Sequence, residues 1–155
     1  MKIPPAIAII LLGDQLTKFL VRYYLYPGQE IKIFSFFSLT YVRNSGLLFG
    51  LFPGSNSWLA VLSFFILLGL WWQRKVIFPS DRLGNLAWQI ILAGGLGNLL
   101  DRIIQGEVID FLDFYWQNWH WPAFNLADVS VNVGIFFWAL SAITKEMKKN
   151  VSSSI

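Results

Sequence analysis

Four long apolar stretches constrain what this chain can fold into more than any other feature of its sequence. They fall at about residues 5–25, 57–76, 83–102 and 124–145, and each is close to the roughly 20 residues that a helix needs to cross a bilayer. Backbone N–H and C=O groups within lipid must be satisfied internally, which favours helices for all four. Composition agrees, because 55% of the 155 residues are hydrophobic and only 14% are charged. The sequence therefore predicts an integral membrane protein.

The predicted fold class is all-α integral membrane, with four transmembrane helices and a small β-containing outer loop region. We expect one membrane-embedded domain over residues 1–155, with outer loops at about 26–56 and 103–123. The first loop contains "QEIKIFSFFSLTYVRNSG", whose Ile, Phe, Thr and Tyr content and closing turn signal predict a short strand or hairpin. The first apolar stretch is interrupted by charge and has no small-x-small cleavage site after it, so we interpret it as a retained helix.

Basic residues near the helix ends predict the orientation. Seven would lie on one side of the membrane and four on the other. The seven are Lys2, Arg74, Lys75, Arg82, Lys145, Lys148 and Lys149, and the four are Arg22, Lys32, Arg43 and Arg102. The positive-inside rule then places both termini in the cytoplasm and both long loops outside.

Residue types absent from the chain narrow the possible chemistry. There is no cysteine, which excludes disulfides, thiolate metal sites and cysteine nucleophiles, and the single histidine, His120, argues against a histidine-based metal site. The net charge of +3 is modest and the basic residues flank apolar segments, so nothing points to nucleic acid. Chemistry without a metal would have to use carboxylates, hydroxyls or lysine.

Charged and polar residues inside the predicted helices need partners. Asp14 and Lys18 are four residues apart and share a helix face, with Arg22 one turn further on. Each such charge costs roughly 2.5 to 3.5 kcal/mol at mid-bilayer, and we favour an ion pair over catalysis for the first two. Gly94 and Asn98 also share a face, with Arg102 one turn on. Helix packing explains the glycine but leaves the two polar side chains directed at something polar.

The aspartates near the second outer loop allow two interpretations. Asp128 follows Asn125 by three residues, which resembles a capping box at a helix start, and a functional role stays equally open. Asp110 and Asp113 could be ordinary solvated loop acids. Because the connecting loop is short, Asp110 and Asp128 can also lie at the same outer boundary and share one proton, as the carboxylates of aspartic proteases do.

Five sequence blocks, taken in order, resemble those of the lipoprotein signal peptidase family, also called signal peptidase II. They are "DQLTK" (14–18), "NSGLLFG" (44–50), "GGLGNLLDR" (94–102), "VIDFLDF" (108–114) and "FNLAD" (124–128). The resemblance implies a metal-independent aspartic endopeptidase of the bacterial inner membrane that uses no cofactor. Its substrates would be prolipoproteins with diacylglycerol on a cysteine, cut just before that cysteine. Membrane lipid and globomycin-type inhibitors are further expected partners, and we expect a monomer.

The same resemblance implies roles for individual residues. Asp110 and Asp128 would be the catalytic pair, and Asp113 would not belong to it. Residues at family positions that support the pair or bind substrate are Asp14, Lys18, Asn44, Gly94, Asn98, Arg102, Val108, Asn125 and Ala127. The sequence departs from the family pattern at Leu47-Leu48, where smaller residues are expected, and this concerns the shape of the first outer loop.

Two other classes of function are compatible with a small membrane protein. A proton-coupled transporter would use Asp14, Lys18 and Asp128 as a relay. The apolar core of the second stretch, residues 57–72, has no ionisable residue, however, and most acids gather near the outer end. A purely structural subunit would not need the clustered asparagines, arginine and acids. Both features favour the peptidase.

Overall fold

The computed structural model describes residues 4–46 and 54–153, with side chains described as far as residue 150. In these ranges the chain forms five helices and four strands. The helices are α1 (Pro5–Tyr24), α2 (Asn56–Trp72), α3 (Arg74–Ile77), α4 (Arg82–Gln105) and α5 (Leu126–Ser153). The strands are β1 (Glu30–Phe34), β2 (Phe37–Asn44), β3 (Val108–Trp116) and β4 (Trp119–His120). The Leu47-Leu48 departure and Lys2 lie outside the described residues.

The four long helices alternate in direction. Lys18 of α1 pairs with Asp101 of α4 while Asp14, one turn earlier, lies against Gly97, so these two helices are parallel. Helix α2 runs the opposite way, because its start contacts the end of α4 and its end contacts the first half of α4. Helix α5 is also antiparallel to α4, since Asn98 bonds to Asp128 and Ile91 packs on Gly134. Both ends of the described chain therefore lie at the same end of the helices.

The sheet covers the other end of the helices. Its strands are antiparallel in the order β1-β2-β3-β4, and an irregularity between Leu39 and Val42 interrupts the pairing of β2 with β3. Ile109 and Phe111 of β3 pack in one apolar cluster with Val21 and Leu25 from the end of α1. This contact fixes the sheet on the helices and holds β3 beside the start of α5.

The predicted all-α fold with four transmembrane helices is wrong. The structure contains a four-stranded sheet, and its nine-residue strand β3 lies where we expected an outer loop. The first four residues of β3 are all buried, so the strand lacks the apolar and polar alternation that marks a half-exposed strand. In the described ranges two helical segments, Arg82–Gln105 and Leu126–Asn150, are long and apolar enough to be candidate membrane spans. Helix α2 is apolar but shorter, and α1 carries the charged Asp14 and Lys18.

Specific contacts set the bounds of α4, the central helix. Asp81 caps its start by accepting a hydrogen bond from the N–H of Gly84 at 2.7 Å, and its other oxygen accepts one from Ser141 of α5. Gly106 ends the helix with φ of 76°, a left-handed conformation that suits glycine. A buried apolar cluster that includes Leu67 and Trp88 joins α2 to α4. Many large apolar side chains on the outer faces stay exposed, as expected for a protein surrounded by lipid.

Candidate active site

Asp110 lies on β3 with its side chain buried, 3% exposed. Strand pairing places it opposite Val42 of β2, beside Asn44 at the end of that strand. Asn44 donates a hydrogen bond to Oδ2 of Asp110 at 2.9 Å, and Asn125 donates one to Oδ1 at 2.7 Å. Oδ1 of Asn44 in turn accepts the N–H of Gly46. Both oxygens of the carboxyl group are therefore held in fixed directions.

Asp128 lies in the first turn of α5 and forms the capping box that its spacing suggested. The N–H of Asn125 donates to Oδ2 of Asp128 at 3.1 Å, and the N–H of Asp128 donates to Oδ1 of Asn125 at 3.0 Å. The second carboxylate oxygen, Oδ1, accepts a hydrogen bond from Nδ2 of Asn98 at 2.7 Å. Capping a helix and facing the site are therefore compatible for this residue.

Two asparagines connect Asp110 with Asp128. Asn125 is fully buried; its backbone N–H binds Asp128 and its amide Nδ2 binds Asp110. The same Nδ2 donates to Oδ1 of Asn98 at 3.2 Å, and Asn98 donates to Asp128. The two carboxyl groups thus belong to one hydrogen-bonded network at the junction of β3, α4 and α5.

A buried ion cluster supports this network from α1. Lys18 Nζ lies 2.8 Å from Asp14 and 2.7 Å from Asp101, and Lys18 and Asp14 are each 1% exposed. Lys18 also donates to Oδ1 of Asn98 at 3.2 Å, which fixes that amide so that its Nδ2 faces Asp128. Oδ1 of Asp14 accepts the N–H of Ala127 at 2.9 Å, so α1 also holds the start of α5.

Sequence reasoning missed Asp101 and its partner Gln15. Gln15 donates to Oδ1 of Asp101 at 3.0 Å and to the carbonyl of Gly97, both on α4. The sequence pattern assigned no role to Asp101. Its position next to Arg102 within the third family-like block, one helical turn after Asn98, was the available signal.

Small residues let the helices approach closely around the pair. A Cβ added to Gly94 would lie 2.4 Å from the carbonyl oxygen of Ala127, and one added to Gly97 would lie 2.6 Å from Oδ2 of Asp14. Ala127 itself is fully buried. These contacts bring α4, α5 and α1 together at the level of the two aspartates.

Arg102 and Val108 flank the pair on the side of the first long loop. Arg102 donates from Nη2 to the carbonyl of Gly46 at 3.1 Å and from Nη1 to that of Asn98. Its own carbonyl accepts a hydrogen bond from Asn56 at the start of α2. Val108 is 3% exposed and begins β3. Arg102 therefore ties the end of α4 to the chain just after β2.

Asp113 lies outside this network. Three residues after Asp110 on an extended strand, it points to the opposite face of the sheet. Its Oδ2 accepts a hydrogen bond from Ser38 at 2.9 Å and lies 2.8 Å from Nδ1 of His120. It is 6% exposed, so it is a buried acid that joins β2, β3 and β4 and not a solvated loop acid.

A cavity of about 710 Å³ opens at the two aspartates and continues between α2, α4 and α5. Six of the residues singled out in the sequence line it: Asn44, Asn98, Arg102, Val108, Asp110 and Asp128. Further along the helices its wall is mostly aliphatic, with Leu67, Leu70 and Ile91 among the lining residues. An apolar polypeptide segment fits a cavity of this character, with its polar end next to the carboxyl groups.

Burial raises the pKa of Asp110 from its ordinary 3.8 to about 6. The hydrogen bond from Asn44 acts against this rise, and the negative charge of Asp128 adds to it. A carboxyl group with this pKa holds its proton at a pH where an ordinary aspartate has lost it. Asp110 is therefore suited to act as an acid in chemistry that a carboxyl pair performs.

Comparison with known proteins agrees with this geometry. The sequence model of the family described as Signal peptidase (SPase) II matches residues 6–144, which is most of the chain. The chain belongs to the signal peptidase II family. The match includes every block on which the resemblance in the sequence rested, and it covers both aspartates.

Individual relatives of the family are similar over most of their length. The lipoprotein signal peptidase of Thermodesulfovibrio yellowstonii is 38% identical over 146 residues, covering 93% of each chain. That of Aeromonas hydrophila is 42% identical over 132 residues, covering 82% of this chain and 77% of the relative. A bacterial membrane enzyme solved by the in meso method superposes with a TM-score of 0.83 at 26% identity, covering 93% of this chain and 88% of the other. The transporter alternative receives no support from these comparisons.

Proposed function

We propose that the protein is an aspartic endopeptidase in which Asp110 and Asp128 form the catalytic pair. Membership of the signal peptidase II family gives the reaction, which is removal of signal peptides from prolipoproteins. One observation carries the assignment of the pair: both carboxyl groups bond to Asn125, and both line the cavity. Asp113 bonds to Ser38 and His120 instead, so we leave it out of the proposed pair.

The surroundings of the two acids support different roles. Burial raises the pKa of Asp110 to about 6, so we assign it the proton when the pair holds a single proton. Asp128 accepts hydrogen bonds from Asn98 and from the N–H of Asn125, and the first turn of a helix favours negative charge. We therefore assign Asp128 as the general base.

Peptide hydrolysis then needs no further reacting group. Asp128 takes a proton from a water molecule while the oxygen of that water attacks the scissile carbonyl carbon. At the same time Asp110 donates its proton to the carbonyl oxygen. The tetrahedral intermediate collapses when its C–N bond breaks. Asp128 gives its proton to the leaving nitrogen, and one hydroxyl of the intermediate returns a proton to Asp110 as the C=O bond re-forms. The products are a new carboxylate on the signal peptide and a free amine on the lipoprotein. We propose that no metal or organic cofactor takes part, since two carboxyl groups perform both proton transfers.

The position of the pair supports a lipid-modified substrate. Both acids lie where the sheet meets the helix ends, and the cavity runs from them along the apolar helices. A diacylglyceryl group on the cysteine after the scissile bond would stay in the bilayer while the peptide bond reaches the acids. We propose cleavage just before that cysteine and binding of globomycin-type peptide inhibitors in the same cavity. We also propose that the enzyme acts as a monomer.

Helix directions support the orientation predicted from charge. Family membership and the membrane-enzyme neighbours indicate an integral protein of the bacterial inner membrane. The α2–α4 connection, which carries Arg74 and Lys75, lies at the end opposite the sheet, together with the Lys148 and Lys149 end of α5. The positive-inside rule places that end in the cytoplasm. We therefore propose cytoplasmic termini and an active site at the outer boundary.

The test is cleavage of a synthetic diacylglyceryl-modified precursor by the purified protein in detergent. We expect a shorter product whose mass corresponds to cleavage immediately before the modified cysteine, with the same rate after treatment with a metal chelator. A product cut at another bond would refute the proposed specificity, and loss of activity on chelation that returns with added metal would refute metal independence.

A further inference from the structure

Two polar side chains in the aliphatic part of the cavity have no role in the network around the acids. Ser63 of α2 and Asn132 of α5 both line the cavity, on different walls. Apart from these two, the hydroxyl, amide and charged side chains among the described lining residues belong to the catalytic network. Neither residue lies in a sequence block that resembles the family.

The hydrogen bonding of Ser63 is incomplete. Thr17, Ser130 and Thr144 also lie within helices, and each donates its hydroxyl to the carbonyl four residues earlier. Ser63 makes no such bond and has no side-chain partner within residues 4–46 and 54–153. A hydroxyl without a partner in an apolar setting is unfavourable, so a ligand that completes its bonding gains affinity.

Asn132 is partly bonded, in a way that orients it. Its Nδ2 donates to the backbone carbonyl of Asp128 at 2.9 Å, one turn earlier on α5. This bond fixes the plane of the amide, and within the described ranges its Oδ1 has no donor. The side chain therefore presents an acceptor to the cavity one helical turn beyond the general base.

The substrate of the proposed function has backbone groups that need such partners. A signal peptide crosses the membrane as a helix, and the scissile bond must leave helical geometry to reach the acids. Unwinding frees backbone N–H and C=O groups, which are costly to leave unpaired in an apolar cavity. Extended peptides are commonly held by hydrogen bonds to their main chain.

We propose that Asn132 and Ser63 are substrate-positioning residues that bind the unwound backbone on the signal-peptide side of the scissile bond. The four residues from Asp128 to Asn132 advance about 6 Å along α5, which equals about two residues of extended chain. Asn132 Oδ1 accordingly accepts an N–H from the second or third residue before the modified cysteine. The inference rests on the proposed function and adds a specific register to it.

The experiment measures kcat/KM for the purified protein with lipidated synthetic precursors. One precursor has all its backbone amides. In each of the others an ester replaces a single amide and so removes one N–H. The ester is placed at the second or the third residue before the cysteine or, as a control, at a residue after it. Asn132→Leu keeps the size of the side chain and removes the acceptor. We expect about a fivefold loss from losing one hydrogen bond. An ester at one of the two predicted positions should lower kcat/KM of the unaltered protein by the same factor, about fivefold. The same ester should cause no further loss of kcat/KM in Asn132→Leu.

Ser63→Ala should also lower kcat/KM about fivefold, whereas Ser130→Ala should leave it unchanged because that hydroxyl bonds to its own helix. If, at every position, the ester lowers kcat/KM by the same factor in Asn132→Leu as in the unaltered protein, the proposed register is wrong. Full activity of both Asn132→Leu and Ser63→Ala would overturn the inference while leaving the proposed function intact. Failure of the unaltered protein to cut any precursor would refute the proposed function itself. Thermal melting checks folding, and Asn132→Ala replaces the leucine variant if that variant does not fold.

Discussion

Replacing Asp110 with asparagine should abolish activity and yet stabilise the protein at neutral pH. Burial raises the pKa of Asp110 from 3.8 to about 6. The folded state therefore binds this proton more tightly than the unfolded state does, and the unaltered protein loses stability as the pH rises from about 4 to about 6. Asparagine does not titrate, so Asp110→Asn lacks this loss.

The magnitude follows from the two pKa values. A difference between 3.8 and about 6 corresponds to a loss of about 3 kcal/mol of unfolding free energy, which is complete by about pH 7. Asp110 accepts one hydrogen bond on each oxygen, from Asn44 and Asn125. Asparagine has a single acceptor oxygen and loses one of these bonds, at a cost of about 1 kcal/mol. The variant should thus be less stable than the unaltered protein by up to about 1 kcal/mol at or below pH 4, and more stable by about 2 kcal/mol near pH 7.

Unfolding of both proteins in detergent, measured at several pH values from about 4 to about 8, tests this calculation. The difference between them is the informative quantity, because groups that titrate in both proteins largely cancel. In an Asp128→Asn background the gain should be smaller, since the charge of Asp128 contributes to the raised pKa. A constant difference across the pH range would refute the argument that Asp110 is buried at a cost.

Three further predictions concern packing, substrate and orientation. Gly94→Ala should lower the unfolding free energy by about 1 to 3 kcal/mol and reduce activity, because its Cβ would lie 2.4 Å from the Ala127 carbonyl oxygen. Gly13→Ala is the control and should not destabilise the protein, because the space around its Cβ is open. Equal melting temperatures for the two variants would contradict the close approach at Gly94. A precursor without its diacylglyceryl group should be cut poorly or not at all, and comparable cleavage of both forms would rule out lipid recognition. The orientation can be tested with a thiol reagent that cannot cross the inner membrane, applied to intact cells in which any outer membrane is permeabilised. A single cysteine placed in "QNWHW" (117–121) should react in these cells, whereas a single cysteine near Lys148 should react only after lysis. The reverse pattern would invert the topology.

Contacts that depend on local spacing could be predicted from the sequence. The four-residue spacing of Asp14 and Lys18 places them on one helix face, and the structure has that ion pair. The three-residue spacing of Asn125 and Asp128 gives the capping box. The family could be predicted because each of its blocks is a short uninterrupted run of sequence, and the family match confirms this prediction.

Contacts between distant segments could not be predicted in the same way. Asp101 joins Lys18 across two helices, and no local pattern encodes that pairing. Strand β3 looked like a loop because both of its faces are buried at its start, which removes the alternation of a half-exposed strand. The sheet that corrects the all-α prediction follows from this strand, since β3 is the element that pairs with both β2 and β4.

The central claim is that Asp110 and Asp128, and not Asp113, carry out the cleavage. The most direct measurement is single-turnover cleavage of the lipidated precursor by Asp110→Asn, Asp128→Asn and Asp113→Asn, each shown to be folded by its melting curve. We expect no detectable product from the first two variants and near-normal cleavage by the third, whose carboxylate bonds to Ser38 and His120 on the other face of the sheet. Cleavage at the normal rate by Asp110→Asn or by Asp128→Asn would contradict the assignment. So would a result in which folded Asp113→Asn is the only one of the three variants that has lost cleavage.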